Sequence, residues 1–315
     1  MHDLAVCCSH TMSSFRQKHP ILLGLFILTG IFFLFLAGIS LLISSLISHG
    51  PNTDIFAKKE GVGIIELKGL IVSSEPILKH LTELRNSPNV KSIVLRIDSP
   101  GGAVGASQEI YTEVKRTSEV KPVVASMGSM GASGGYYAAL GADNIIANPG
   151  TMTGSIGVIV KFPNLESLYE KIGYKSEVIK SGPLKDVGAS NRPLSDEERN
   201  LMQDLIDNVY TQFVRDIAES RSMPEDTIYD LADGRIYSGE QALEVGLIDS
   251  LGNFTDAIML AADLGGLDTK DPQLIYPKVE RKFSILNLLT SAEQSFVDNF
   301  GPLYPILSFE WRGVQ

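Results

Sequence analysis

The stretch Met127-Gly-Ser-Met-Gly-Ala-Ser-Gly-Gly-Tyr-Tyr137 contains a Gly-x-Ser-x-Gly match at Gly131–Gly135. An apolar run, Pro122-Val-Val-Ala-Ser126, precedes it and reads as a buried strand; Tyr136 to Leu140 follows and opens a helix. A serine between glycines at a strand-to-helix junction can hold its hydroxyl out from a sharp turn. The N–H groups at the helix start then face whatever binds there. Ser133 is therefore a candidate nucleophile. The same residues also describe a tight turn that only packs a helix on a sheet.

Five histidines, His2, His10, His19, His49 and His80, all precede Ser133. The order Ser, acid, His of an α/β-hydrolase is thereby excluded. His80, Asp98 and Ser133 occur in an order another triad uses, but His80 sits in an amphipathic run, Ile77 to Leu84, and reads as a helix-face residue. Both cysteines, Cys7 and Cys8, lie in the N-terminal tail. If Ser133 is activated, lysine is the remaining base, and an amine serves only where burial lowers its pKa toward neutrality.

Strand and helix signals alternate from Gly61 onward. Strands are expected at Val62–Leu67, Val90–Ile97, Pro122–Ser126, Asn144–Ala147, Ile156–Val160 and Lys175–Lys180. Helices are expected at Glu75–Asn86, Ala103–Thr117 and Pro163–Ile172, and from the capping box Ser195-Asp-Glu-Glu198 to about Ser222. The alternation indicates an α/β fold. Ser99-Pro-Gly-Gly102 carries a second signal, because glycines just past a strand let backbone amides approach a ligand. The N–H groups of Gly102 and Gly134 could together form an oxyanion hole; an ordinary strand-to-helix turn is the other reading.

The N-terminal part divides into a polar tail, residues 1–20, an uncharged run, Ile21–Ser48, and a linker, 49–60. The uncharged run is long enough to span a bilayer and longer than a signal-peptide core, so an uncleaved transmembrane anchor is expected. Arg16 and Lys18 before it favour a cytoplasmic N-terminus, with the remainder outside the cytoplasm. A main domain over 61–276 and a C-terminal extension over 277–315 follow. The net charge of −10 argues against nucleic acid as a partner, and no metal-ligand cluster or cofactor motif is present in the sequence.

Asp98–Gly102, Ser129–Tyr137, Asn148–Val158, Ser181–Asp186 and Ala232–Asp249 occur in that order. Together they resemble the short, single-repeat form of bacterial signal peptide peptidase A, a membrane-bound serine protease. The resemblance covers Gly61 to Gly265 and includes the preceding anchor. It implies the Clp-protease/crotonase-like fold, a spiral of ββα units. It also implies Ser133 as nucleophile, Lys185 as general base, Ser155 as the hydroxyl orienting the lysine amine, and Gly102 and Gly134 as oxyanion-hole donors. No cofactor is implied. The partners implied are extended apolar peptides such as cleaved signal peptides, the lipid bilayer of the bacterial inner membrane, and copies of the chain in a homo-oligomeric ring. Lys161 and Lys180 compete with Lys185 and read as solvated strand ends. The extension's apolar run, Phe283–Leu289, reads as ordinary packing, or as a segment against the membrane or a neighbouring subunit. Two alternatives stand beside this: a protease of the same fold acting on other exported peptides, and a non-catalytic crotonase-like scaffold.

Overall fold

The computed structural model describes residues 28–40, 59–278 and 308–310. The chain divides into two compact units, Met1–Lys58 and Lys59–Gln315. In the first, residues 28–40 form a helix (α1) whose large apolar side chains are exposed, Leu34 at 75% and Phe33 at 68%. No helix among the described residues is long and apolar enough to cross a membrane. Most of the expected 21–48 span lies outside the described residues.

The second unit is α/β. Its chain order is β1 (Gly61–Lys68), α2 (Glu75–Asn86), β2 (Val90–Ser99), β3 (Gly101–Ala103), α3 (Val104–Ser118), β4 (Val123–Ala132), α4 (Gly134–Ala139), β5 (Asn144–Ala147) and β6 (Met152–Gly154). There follow α5 (Glu166–Ile172), a 3₁₀ turn at Pro183–Asp186, α6 (Asp196–Arg221), α7 (Glu225–Leu231), β7 (Ile236–Ser238), α8 (Gly239–Glu244), β8 (Ser250–Leu251), α9 (Phe254–Leu264), β9 (Gln273–Ile275) and β10 (Ser308–Glu310).

The main sheet runs β7-β6-β4-β2-β1-β9, with β5 also on β4 and β8 on β5. Only β6 and β7 within it are antiparallel. The strands are apolar on both faces because both faces are covered. Val62, Ile64 and Val94 pack with Ala257, Ile258 and Ala261 of α9, while Ile65, Leu67, Ile93 and Leu95 join the larger cluster with α2, α3 and α6. Period-two alternation thus sends neighbouring side chains to two different cores.

β4 organises the sheet. Val124–Met127 pair with β5 and Met130–Ala132 with β6, so one strand serves two neighbours in succession. The change of partner falls at Gly128 and Ser129. There Asp98 Oδ1 accepts the Met130 N–H at 3.1 Å, and Arg96 donates to Ser126 Oγ at 2.9 Å and to the Met127 carbonyl.

Three expectations are corrected. Ile156–Val160 is not a continuous strand; the strand is the preceding Met152–Gly154, ended by positive φ at Gly154 and Ser155. Lys175–Lys180 is irregular and exposed, and a strand with no neighbour has no ladder to join. The helix expected from Pro163 begins at Glu166, where Asn164 Oδ1 takes the Glu166 N–H. The capping box at Ser195 is present with both reciprocal bonds, and α6 ends at Ser222 in the left-handed region. Replacing Ser195 by Ala removes one side of that box, and thermal unfolding should report about 1 kcal/mol of lost stability. An unchanged melting temperature would mean that the buried face of α6 alone fixes its start.

Candidate active site

Ser133 follows the last residue of β4 at φ 53°, ψ −115°, a region that non-glycine side chains rarely occupy. Two bonds hold it there. Its N–H donates to the Gly154 carbonyl at 2.7 Å, and its carbonyl accepts the Tyr137 N–H at 2.8 Å. Tyr136 and Tyr137, both fully buried, lock α4 underneath, with Tyr136 Oη donating to the Leu247 carbonyl at 2.8 Å. Burial pushes both phenols well above their usual range. Such strain at a serine persists only where surrounding structure imposes it.

Ser155 occupies the equivalent place on the next strand. Ala132 is in register with Gly154, so the residues one step past the pair are Ser133 and Ser155. Ser155 also has positive φ, 50°, and its N–H donates to the Arg235 carbonyl at 2.8 Å. Both serines line one cavity of about 470 Å³, together with Ile156, Gly157, Val158, Lys161, Ile206, Tyr210 and Gly234. Its mouth is open to solvent at Ile159 and Lys161, while the two serines are 1% and 8% exposed.

Gly102 and Gly134 come together beside Ser133. A methyl group on Gly134 would lie 3.1 Å from the Gly102 nitrogen and 2.5 Å from Ser107 Oγ, so no larger residue fits without displacement. β3 is tied to Ile71 on one side, since the Ile71 N–H donates to the Gly101 carbonyl and the Ala103 N–H to the Ile71 carbonyl, at 2.8 and 2.7 Å. By strand alternation the Gly102 N–H faces the other way. The pair can therefore offer two backbone donors to one oxygen next to Ser133.

Lys185 stands apart. It is exposed on the 3₁₀ turn and is not among the residues that line the cavity. Its turn is nonetheless fixed. Asp186 accepts from Lys180 and, at 2.9 Å, from Arg192, which also pairs with the buried Glu198 at 2.6 Å. Lys180, expected as a solvated strand end, is thus an anchor of this turn. Hydrogen bonds from Arg192, then from the Ser195 N–H, hold Glu198 down to about 2, and those from Lys180 and Arg192 lower Asp186. Lys161, also expected as a strand end, is instead part of the Ser133 cavity, and the apolar run before it gave no sign of this. His80 lies on α2, outside the cavity, and Asp98 is used by Met130.

The family model described as peptidase family S49 matches residues 115–268, and that described as Clp protease matches residues 60–153. A relative from Synechocystis sp., itself named as a protease, is 44% identical over 248 residues, covering 77% of this chain and 88% of its own. The chain belongs to peptidase family S49. Protease 4 of Salmonella typhi is 39% identical over 197 residues, 62% of this chain and 32% of that one. A protein of Enterococcus faecium named as the signal peptide peptidase SppA is 38% identical over 182 residues, 58% of this chain and 53% of that one. This S49 chain therefore spans only part of the length of those last two relatives. Membership makes it a serine protease, in agreement with the resemblance to signal peptide peptidase A, and the mixed α/β architecture is Clp-protease-like over the matched part.

Two outcomes follow from this geometry. Gly134→Ala should reduce kcat at least 10-fold in a folded protein, because the added methyl displaces a donor; full activity would show that the Gly134 amide is not used. Glu198 is depressed on folding, so its stabilising share is complete above its ordinary value of 4.5 and is lost as pH falls toward about 2. Amide protection of residues 183–198, taken relative to intrinsic exchange at each pH, should fall across that window, and less so in Glu198→Gln. An equal loss of protection in both would dissociate the turn from this carboxylate.

Proposed function

We propose that this S49 protease is a membrane-anchored endopeptidase that uses a Ser-Lys dyad to degrade signal peptides left in the bacterial inner membrane. The observation that carries the reading is the register of β4 with β6, which brings Ser133 and Ser155 into one cavity beside the Gly102 and Gly134 amides. Ser133 Oγ attacks the peptide carbonyl and passes its proton to a neutral lysine amine. The two amides stabilise the oxyanion, and the ammonium then protonates the leaving amine. Ser155 holds the amine in place. The uncharged run Ile21–Ser48 supports the anchor, with the catalytic domain outside the cytoplasm and residues 277–315 as an extension of it.

The lysine is assigned to Lys185 of a neighbouring copy in a closed homo-oligomeric ring. Lys185 is exposed on a turn that the ion pairs of Asp186 hold in its own chain, which suits a side chain delivered across an interface. The segment leading to it carries apolar residues turned to solvent, among them Leu168 at 50%, Ile172 at 65% and a fully exposed Ile179. Cyclic symmetry would cover that surface on every copy.

A second reading has its own observation: Lys161 lines the Ser133 cavity within one chain. Mixing separates the two. Ser133→Ala and Lys185→Ala chains, each expected to be inactive alone if Lys185 is the base, are combined under conditions of proven subunit exchange. Recovery of part of the wild-type peptidase activity is expected, with Lys161→Arg largely active. A Lys185→Ala chain active on its own, with loss of about 10³-fold or more in Lys161→Arg, would transfer the base to Lys161.

A further inference from the structure

The wall of the Ser133 cavity is apolar through Ile156, Val158, Ile159 and Ile206, and it carries two charged side chains, Lys161 and Asp233. Their surroundings differ. Arg235 closes on Asp233, donating from Nε to Oδ1 at 2.8 Å and from Nη2 to Oδ2 at 2.5 Å, and its backbone N–H adds a bond to Oδ1 at 3.0 Å. Those bonds hold the carboxyl down to about 2. The charge of Asp233 is thus cancelled inside its own turn. Among the described residues no carboxylate pairs with Lys161, whereas Lys180 is tied to Asp186. The uncompensated charge of the cavity is therefore positive, and it stands at the mouth.

The fold brings this cation to the nucleophile. The Ser155 N–H donates to the Arg235 carbonyl, so the end of β6 and the turn carrying Asp233 lie side by side. The chain leaving Ser155 then follows the cavity through Gly157 and Val158 to Lys161. An ammonium against an apolar wall attracts an anion more strongly than one in open water, because the wall excludes part of the solvent that would screen it. A peptide offers a carboxylate at one end and an ammonium at the other. Lys161 attracts the first, with a charge-assisted hydrogen bond available to it, and repels the second.

We propose that Lys161 binds the C-terminal α-carboxylate of the peptide whose scissile bond lies at Ser133. The inference rests on the serine-protease reading above and narrows its substrate class to apolar peptides with a free carboxyl terminus near the cut. In an uncut chain the same position is an amide carbonyl, which has no charge to meet the ammonium. A free terminus arises when water is added across a peptide bond, leaving a carboxylate on one fragment and an amine on the other. The reaction that supplies this substrate is therefore an earlier hydrolytic cut. Its carboxylate-bearing fragment is taken up, and uncut precursors are passed over.

The test measures binding to the full-length Ser133→Ala chain, so that turnover does not enter. One labelled apolar peptide is used in three forms: the C-terminal acid, the C-terminal amide, and an amide ending in Glu. The acid is expected to bind about 10-fold or more tightly than the amide, and the Glu form to bind like the amide. That advantage should shrink as ionic strength rises. Adding Lys161→Gln should bring acid and amide within about 2-fold of each other, and adding Lys161→Arg should keep the preference. A lysine that is only solvated at the surface would move none of these ratios. With the wild-type chain, mass spectrometry should place the first cut of the acid peptide in its last few residues. Equal affinity for acid and amide, or a preference that survives Lys161→Gln, would overturn the proposal. A Glu form that binds like the acid would overturn the chain terminus as the source of the carboxylate. Ser133-dependent cleavage that is indifferent to the terminus would remove the carboxylate site and leave the protease reading intact. Cleavage that survives Ser133→Ala would overturn the reading beneath it and the site with it.

Discussion

The register between β4 and β6 decides where the chemistry of this chain can lie. Three consecutive pairs, Met130 with Met152, Gly131 with Thr153 and Ala132 with Gly154, end at the same level, and both strands then turn through residues of positive φ. Side-chain bonds reinforce the pairing: Thr153 Oγ1 donates to the Gly131 carbonyl and Thr151 Oγ1 to the Gly128 carbonyl, each at 2.7 Å. A slip of one residue would separate Ser133 from Ser155 and turn one side chain to the opposite face. The strain at both serines is carried by this sheet and by the fully buried tyrosines of α4.

The glycines answer to the same constraint. β3 must pass close enough to the start of α4 for two amides to face one point, and any side chain on Gly134 would push them apart. Backbone donors fixed in this way need no reorganisation when charge develops on an oxygen, which is why such sites favour main chain over flexible side chains. The cost is an unfilled strand edge at β3, and an open edge is a template for pairing. In this chain β10 covers it.

Much of the scaffold was legible because local chemistry specified it. The α2 boundaries, the β5 strand and the Ser195 capping box were set by pattern and capping residues alone. Gly-x-Ser-x-Gly and Ser-Pro-Gly-Gly marked the two turns that meet at Ser133. The failures share a cause. Ile156–Val160 is apolar because it borders the cavity and core, and burial by itself does not distinguish a strand from an irregular segment. Lys161 and Lys180 each follow an apolar run, so nothing local told a cavity residue from an ion-paired anchor. Phe309 was hidden for a longer-range reason: two hundred residues of sequence separate it from Gly102, and no local pattern records which edge a distant tripeptide will join.

In the proposed function this folded turn makes Ser133 the nucleophile. A fluorophosphonate probe, which bonds only to an activated serine, tests it directly when the labelled full-length chain is digested and mapped by mass spectrometry. One stoichiometric adduct on Ser133 is expected, with Ser155, the other serine lining the cavity, unlabelled. An adduct on Ser155, or a correctly folded, peptide-cleaving chain that takes no label at Ser133, would contradict it.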